Sequence, residues 1–192
     1  ISGASRGIGL AVARNLYDAG FSLSLGVRDA QAMGQKVKDW DQARVLIGQY
    51  DATDKETHKS WVDETVEHFG RIDGLVNNAG INRPADFDKQ TDEEWAEVID
   101  VDLTGVFRCC QEVLPHITDY GRIINVGSLS GEYGGPRTPS YACAKMGVMA
   151  LTHNLARFLG PRNICVNTLS PGVIAGELTE KTMSPDVKET AL

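Results

Sequence analysis

No stretch of the 192-residue chain approaches the roughly 20 consecutive apolar residues that a membrane-spanning helix needs. The first residues also lack the basic and apolar segments of a secretory signal peptide. Positive charge is scarce, because 19 Lys and Arg face 26 Asp and Glu, for a net charge of −7. A nucleic-acid-binding protein needs a basic face for its phosphate contacts. We therefore expect a cytoplasmic protein that binds neither nucleic acid nor membrane.

Cysteine and histidine are equally scarce, with four residues of each. Cys109 and Cys110 are adjacent and the other two cysteines lie far along the chain, which is not the pattern of a disulfide framework. No histidine stands at ligand spacing from another histidine or a cysteine, so we expect reduced thiols and no metal site. Hydrophobic residues make up 42% and charged residues 23% of the chain, as in ordinary globular domains, and we predict one domain over residues 1–192.

Short apolar runs alternate with amphipathic stretches from one end of the chain to the other. Thr53 with Glu56 and Thr91 with Glu94 fit capping boxes, each of which predicts the start of a helix. Helical patterns also follow the glycine-rich start and cover 141–159. The predicted strands are 21–27, 44–50, 72–77, 121–127 and 164–169.

This alternation predicts an α/β fold. Strands joined by helices of ten or more residues require right-handed crossovers, which give a three-layer, doubly wound parallel sheet with helices on both faces. Only Ile1 and Ser2 precede the first glycine-rich segment, although a complete central strand is expected there. No strand pattern follows residue 179, so we expect a sheet that is truncated at both ends.

The glycine-rich segment has a spacing that suits phosphate binding. Gly3, Gly7 and Gly9 lie between the end of a strand and the start of a helix, where free amides and the helix dipole attract a pyrophosphate. Glycine serves where the backbone turns sharply or where a phosphate must approach closely. A simple tight turn is the alternative interpretation of this segment alone.

Four further segments support a family resemblance. Residues 77–80 read Asn-Asn-Ala-Gly at a strand end, Ser128 ends another strand, and Tyr141 and Lys145 open a long helix thirteen residues after that serine. Residues 167–172 read Asn-Thr-Leu-Ser-Pro-Gly. Together with the glycine segment, these motifs resemble the short-chain dehydrogenase/reductase family, in particular its 3-oxoacyl-acyl-carrier-protein reductases. The resemblance covers essentially the whole chain and implies a Rossmann fold.

The spacing of Tyr141 and Lys145 has a chemical meaning of its own. Residues four apart on a helix share a face, so the lysine ammonium can act on the phenol. An ordinary tyrosine titrates near pKa 10, and a general acid/base needs a value about three units lower, which a nearby cation favours. Ser128 would hydrogen-bond the substrate oxygen, and the resemblance implies that Lys145 also holds the nicotinamide ribose. Taken singly, these residues could be a helix cap, a half-buried aromatic and a solvated charge.

Two positions depart from the family pattern. The resemblance implies an asparagine that completes a catalytic tetrad through a water molecule, but this chain has Asp102 there. When ionised, Asp102 offers only acceptors and partly offsets the charge of Lys145, so we predict a more alkaline pH optimum. Gly176 stands where relatives commonly carry a threonine that bonds the nicotinamide carboxamide, so we expect a looser hold on the cofactor there.

The end of the second strand indicates which cofactor is used. NAD enzymes place an acidic residue there for the ribose 2′-hydroxyl, whereas this chain has Val27 followed by Arg28, with Asp29 one residue too late. Arg6 and Arg28 could converge on a 2′-phosphate, which favours NADP(H) over NAD(H). The predicted cofactor contacts are Gly3, Ser5, Arg6, Gly7, Ile8, Gly9, Arg28, Asp51, Ala52, Asn78, Ala79, Gly80, Tyr141, Lys145, Pro171, Gly172 and Ile174.

We therefore predict an NADP(H)-dependent oxidoreductase that interconverts a ketone and a secondary alcohol, with Ser128, Tyr141, Lys145 and Asp102 as its catalytic group. An NAD(H)-linked alcohol or sugar dehydrogenase and a non-catalytic dinucleotide-binding protein are the alternatives. The partner is then a small carbonyl or alcohol substrate. The resemblance further implies a homodimer or homotetramer that associates through helices 92–114 and 141–159.

Overall fold

The computed structural model describes residues 1–135, 137–176 and 179–180. Within this part of the chain, five strands alternate with seven α-helices. The strands are β1 (Leu23–Val27), β2 (Val45–Gln49), β3 (Ile72–Asn77), β4 (Ile117–Val126) and β5 (Cys165–Leu169). The helices are α1 (Gly7–Asp18), α2 (Ala30–Lys36), α3 (Lys55–Phe69), α4 (Asp92–Ile99), α5 (Gly105–Val113), α6 (Leu129–Tyr133) and α7 (Pro139–Leu159). Among the residues described, none of these helices is both long enough and apolar enough to span a bilayer.

The strands form two parallel groups, β1–β2 and β3–β4–β5. Residues 1–2 lie between them, because the Gly26 amide donates to the Ile1 carbonyl and the Ser2 amide donates to the Val76 carbonyl, both at 3.0 Å. The order across the sheet is therefore β2, β1, residues 1–2, β3, β4 and β5. This arrangement confirms the predicted doubly wound parallel sheet.

Strand β1 carries different side chains on its two faces. Leu23 and Leu25 pack in one apolar cluster with Ala13 of α1 and Met33 of α2. On the opposite face the indole of Trp61 from α3 lies against Gly26 and Gly48, where a Cβ atom would overlap the ring. The strand predicted over 21–27 is present as Leu23–Val27, with large side chains on one face and Gly26 on the other, and helices cover both sides of it.

Local structure departs from the predictions at several places, including β4, which is Ile117–Val126 rather than 121–127. Asp54, not Thr53, caps α3, because its side chain accepts from the Glu56 amide at 3.0 Å, while the Thr53 hydroxyl donates to Asp51. The helix predicted over 92–114 contains a π-helical turn at Asp100–Thr104 between α4 and α5. The Thr91–Glu94 capping box is confirmed.

Candidate active site

A cleft of about 390 Å³ opens at the carboxyl ends of the parallel strands. Ligands of open α/β sheets bind at this edge, because loops and helix N-termini converge there. All the residues predicted to hold a cofactor or to act in catalysis line the cleft, except Gly9. Gly9 is buried beneath the loop, where a Cβ would collide with the Gly3 carbonyl and the Asn78 side chain.

The glycine loop is held in shape by the strand beside it. Gly3 and Gly7 have φ of +66° and +52°, in the left-handed region that favours glycine. The side-chain amide of Asn78 donates to the carbonyls of Ser2 and Gly3 at 3.0 and 3.1 Å. The backbone N–H of Asn78 donates to the Ser2 hydroxyl at 3.0 Å. Asn78 thus supports the loop, and Ser2 is a support that sequence reasoning missed. Helix α1 begins at Gly7, so its first amides point into the cleft.

Positive side chains border the cleft beside β1. Arg6 and Arg28 line it, while the Asp29 side chain accepts from the Ala32 amide at 2.8 Å and caps α2. From the end of α2, the Lys36 ammonium donates to the Ser5 carbonyl at 2.6 Å. Sequence reasoning missed Lys36, since no local pattern connects it with a loop 31 residues earlier. One oxygen of Asp29 thus caps α2, and the cleft beside β1 is lined by this carboxylate and the two guanidinium groups of Arg6 and Arg28.

The carboxylate of Asp51 lies at the end of β2. It accepts from the amide and the hydroxyl of Thr53 at 2.9 and 2.7 Å. The amide hydrogen bond holds the pKa of Asp51 below its ordinary value, and the charge of Arg28 acts in the same direction while burial opposes it. Asp51 is therefore an ionised acceptor at this end of the cleft.

The opposite end of the cleft brings together Ser128, Tyr141 and Lys145. Ser128 follows β4 and caps α6, where its hydroxyl oxygen accepts from the Ser130 amide at 3.1 Å. Its hydroxyl hydrogen can therefore be donated to another group. Tyr141 and Lys145 lie on the first turns of α7, with the lysine Nζ 5.5 Å from the centroid of the tyrosine ring. The Lys145 ammonium therefore lies beside the Tyr141 ring, as the helical spacing predicts.

Lys145 is buried in an ion pair with Asp102. Its Nζ lies 3.2 Å from Asp102 Oδ2 and donates to the Val126 carbonyl at 3.0 Å. Burial raises the pKa of Asp102, and the lysine charge opposes this only in part. Burial would lower the pKa of Lys145, but the charges of Asp102 and Tyr141 outweigh it, so the pKa of Lys145 is raised. The paired carboxylate thus favours the ammonium form of Lys145.

The π-helical turn positions Asp102. π turns are rare and frequently occur at functional sites, and here Asp102 lies at the centre of the turn with its side chain fully buried. Its Oδ1 accepts from the Ile81 amide at 2.8 Å, which leaves Oδ2 directed at Lys145. A Cβ at Gly80 would lie 3.0 Å from that second oxygen. The carboxylate thus occupies a closely fitted position.

The segment after β5 closes one side of the cleft with Pro171, Gly172, Ile174 and Gly176. A Cβ at Gly176 would meet no atom of the described residues within 4 Å. The predicted departure at this position therefore leaves space beside the cleft that no described residue fills.

Comparison with known proteins assigns the chain to a family. The family model described as short chain dehydrogenase matches residues 1–186. The protein named 3-oxoacyl-[acyl-carrier-protein] reductase FabG in Thermotoga maritima is 38% identical over 196 residues, covering 100% of this chain and 79% of the relative. The protein of the same name in Staphylococcus aureus (strain Mu50) is 35% identical over 197 residues, covering 100% of this chain and 80% of the relative.

Solved structures agree with this assignment. A dehydrogenase/reductase from Sinorhizobium meliloti 1021 has a TM-score of 0.91 and 34% identity, and covers 100% of this chain and 77% of its own. A short-chain dehydrogenase/reductase titled glucose/ribitol dehydrogenase, from Brucella melitensis, has a TM-score of 0.91 and 30% identity over 94% of this chain and 74% of its own. The family expected from the motifs is thus confirmed. The chain belongs to the short-chain dehydrogenase family, and it is an oxidoreductase that acts on CH–OH or keto groups with a nicotinamide dinucleotide.

Proposed function

We propose that the protein is an NADP(H)-dependent oxidoreductase that interconverts a ketone and a secondary alcohol, with Tyr141 as general acid/base. One observation carries the proposal: the buried ammonium of Lys145 lies 5.5 Å from the Tyr141 ring, in a cleft that also contains the glycine loop. Neither residue alone would distinguish an active site from ordinary packing. Their meeting beside Ser128, at the carboxyl ends of the strands, supports a reaction centre.

The residues of the cleft fit a dinucleotide. The loop from Gly3 to the start of α1 presents backbone amides without side chains above Gly7, as a pyrophosphate requires. Asp51 offers a carboxylate to an adenine amino group. Lys145 has three N–H donors, so one is left for a ribose hydroxyl beside its ion pair with Asp102 and its hydrogen bond to Val126. When bound, the nicotinamide supplies or accepts the hydride at the substrate carbon.

The side chains of the protein transfer the proton to and from the substrate oxygen. In ketone reduction the Tyr141 hydroxyl donates its proton to the carbonyl oxygen as the C–O double bond becomes a single bond. In alcohol oxidation the phenolate accepts the hydroxyl proton. The Lys145 ammonium stabilises the phenolate by its charge, and the Ser128 hydroxyl hydrogen-bonds the same substrate oxygen and fixes its orientation.

Asp102 acts on this group through Lys145. Its carboxylate holds the ammonium in place at 3.2 Å, but its negative charge also weakens the field that the ammonium exerts on the phenol. The more alkaline optimum predicted from the sequence follows from this second effect.

The preference for NADP(H) rests on the charges beside β1. A 2′-phosphate needs cationic donors, and Arg6 and Arg28 line that end of the cleft. An NAD enzyme places an acidic acceptor at the strand end, where this chain has Arg28. Asp29 follows one residue later and also lines the cleft, with one carboxylate oxygen capping α2. NADP(H) is therefore favoured over NAD(H).

The names of the relatives support a carbonyl substrate. Two relatives are named 3-oxoacyl-[acyl-carrier-protein] reductases, so a 3-oxo compound is the first substrate to test. Association as a homodimer or homotetramer is supported by exposed apolar side chains on the helices predicted to pair, namely Trp95, Phe107 and Met146, which are 40%, 47% and 45% exposed. The cytoplasmic location and the single domain stay predictions.

The test measures initial rates with NADPH and NADH on a panel of acetoacetyl thioesters, simple ketones and sugars. We expect turnover of a ketone with NADPH at least tenfold faster than with NADH. The Tyr141→Phe variant keeps the ring and should lose at least about 100-fold in kcat, while its dissociation constant for NADPH, followed by nicotinamide fluorescence, stays within a factor of a few. Undiminished turnover in that variant would refute the role of Tyr141, and a preference for NADH would refute the cofactor assignment.

A further inference from the structure

A row of polar side chains crosses the core directly beneath the active site. Asn77, Asn125 and Thr168 are paired neighbours on β3, β4 and β5, and Thr152 of α7 meets them. The side-chain amide of Asn77 donates to the side-chain oxygen of Asn125 at 2.8 Å. The side-chain amide of Asn125 in turn donates to the Thr152 hydroxyl at 2.9 Å. The Thr168 hydroxyl donates to Thr152 at 2.8 Å. We name these four residues the polar ladder.

Thr152 is the point at which the ladder joins the catalytic helix. It follows Lys145 by seven residues, which is two helical turns, so both side chains lie on the face of α7 that meets the sheet. Asn125 immediately precedes Val126, whose carbonyl accepts from Lys145 at 3.0 Å. Helix α7 is therefore bound to β4 at two successive levels, one through Thr152 and one through Lys145.

We propose that Thr152 is a positioning residue for the reaction: through Asn125 and Thr168 it fixes the register of α7 on the sheet at which Lys145 reaches Val126, Asp102 and the Tyr141 ring. The inference rests on the proposed function, because it assigns to Lys145 the role described above.

The Thr152 hydroxyl uses its one donor and both of its acceptor sites. The hydroxyl accepts from Asn125 and Thr168 and donates to the Val148 carbonyl at 2.8 Å. Asn125 and Thr152 are almost completely buried, so a lost partner cannot readily be replaced by water. Any slide of α7 along the strands would break both bonds from the sheet.

Packing contacts fix the distance of α7 from its neighbours rather than its register. A Cβ at Gly131 would lie 2.9 Å from the Lys145 backbone, and a Cβ at Gly147 would lie 2.8 Å from Leu103. These contacts stop the helix from approaching α6 and the π turn any closer. Apolar contact is not directional, however, and it opposes sliding less strongly than hydrogen bonds do.

The test compares Thr152→Val with Thr152→Ser. Valine keeps the shape but leaves Asn125 and Thr168 without their acceptor, whereas serine keeps the hydroxyl. A displacement of about 1 Å in a catalytic group costs up to about 100-fold in rate, so a partial shift of α7 should lower kcat about tenfold in Thr152→Val. We expect the KM for cofactor to change less than twofold. Thr152→Ser should restore kcat to within about threefold of the unaltered protein.

The pH profile separates positioning from simple loss of stability. Asp102 and Tyr141 are the titratable groups that face Lys145, so a displaced ammonium should move the acid limb of the kcat profile for alcohol oxidation to higher pH. Thr65→Val is the matched control, because Thr65 is a buried hydroxyl that bonds Trp61 and Ser24 on α3 and β1, away from Lys145. This control should lower the melting temperature but leave kcat and the limb unchanged.

Unchanged kcat and pH profile in folded Thr152→Val would overturn the inference, as would equal effects in Thr65→Val. Should Thr152→Val fail to fold, Thr168→Val is the substitute, because it removes one donor and keeps Thr152. It should lower kcat about threefold and move the acid limb to higher pH. An acid limb that does not move in this variant would overturn the inference. The Tyr141→Phe result tests the proposed function separately. If that variant loses turnover and Thr152→Val does not, only the positioning role is wrong.

Discussion

Replacing Asp102 by asparagine tests how a buried carboxylate tunes the reaction centre. Asparagine has nearly the same size, and its side-chain oxygen can still accept from the Ile81 amide. What it removes is one negative charge 3.2 Å from the Lys145 ammonium, and with it the carboxylate acceptor on that side, which the NH2 group of asparagine cannot replace. Without that charge the phenolate of Tyr141 is easier to form. Both the acid limb of alcohol oxidation and the alkaline limb of ketone reduction should therefore move to lower pH.

The size of this shift can be calculated from two distances. Lys145 Nζ lies 5.5 Å from the Tyr141 ring centroid and 3.2 Å from Asp102 Oδ2. The carboxylate is then within about 9 Å of the ring, and at an effective dielectric constant of about 20 a unit charge at that range contributes about 2 kcal/mol. Since about 1.4 kcal/mol corresponds to one pH unit, we expect the limbs to move by about one unit.

The assay is kcat against pH, at saturating substrate and cofactor, in both reaction directions. Asp100→Asn is the matched control, because Asp100 lies in the same π turn but pairs with Arg108 at 3.2 Å. It removes the same charge without altering the environment of Lys145. Profiles of Asp102→Asn that superimpose on those of the unaltered protein, or that move to higher pH, would refute the reasoning.

Three further substitutions test other parts of the molecule. Gly176→Thr fills open space beside the cleft and should lower the Kd for NADPH measured by fluorescence titration, and an unchanged or higher Kd would reject this. Gly48→Ala drives a Cβ into Trp61 and should cost about 1–3 kcal/mol in denaturant unfolding, whereas Gly34→Ala, with its nearest neighbour at 3.9 Å, should be neutral or stabilising. Arg28→Ala should lower the preference for NADPH over NADH about tenfold by raising the KM for NADPH alone, and an equal rise for NADH would contradict that.

Features encoded by neighbouring residues were predictable. The Thr91–Glu94 capping box depends on two side chains one helical turn apart, and the strand at 72–77 has the predicted bounds. The cleft residues could also be located in advance, because glycine, serine and tyrosine motifs follow strands whose carboxyl ends must meet at one edge. The Tyr141–Lys145 pair follows from helical spacing alone.

Features that depend on distant parts of the chain were not predictable. Thr53 and Asp54 both suit a helix cap, and tertiary contacts decide between them, since Thr53 is engaged by Asp51. The π turn widens the helix by one residue without leaving a clear pattern in the sequence. The Lys36 contact with Ser5 and the Asn125 contact with Thr152 join elements that only the fold brings together.

The cleft lies where the two strand groups meet, and this division has an energetic consequence. Arg28 follows β1, and its carbonyl accepts from the Gln49 side chain at the end of β2. Lys145 instead contacts Val126 at the end of β4 and Asp102 in the π turn. Substitutions at sites that share no partner act additively. Combining Arg28→Ala with Asp102→Asn should therefore raise the KM for NADPH as the first does alone and shift the pH limbs as the second does alone. If the pH limb moves in Arg28→Ala, the charge of Arg28 must instead affect the ionisation of the Tyr141 phenol from the other end of the cleft.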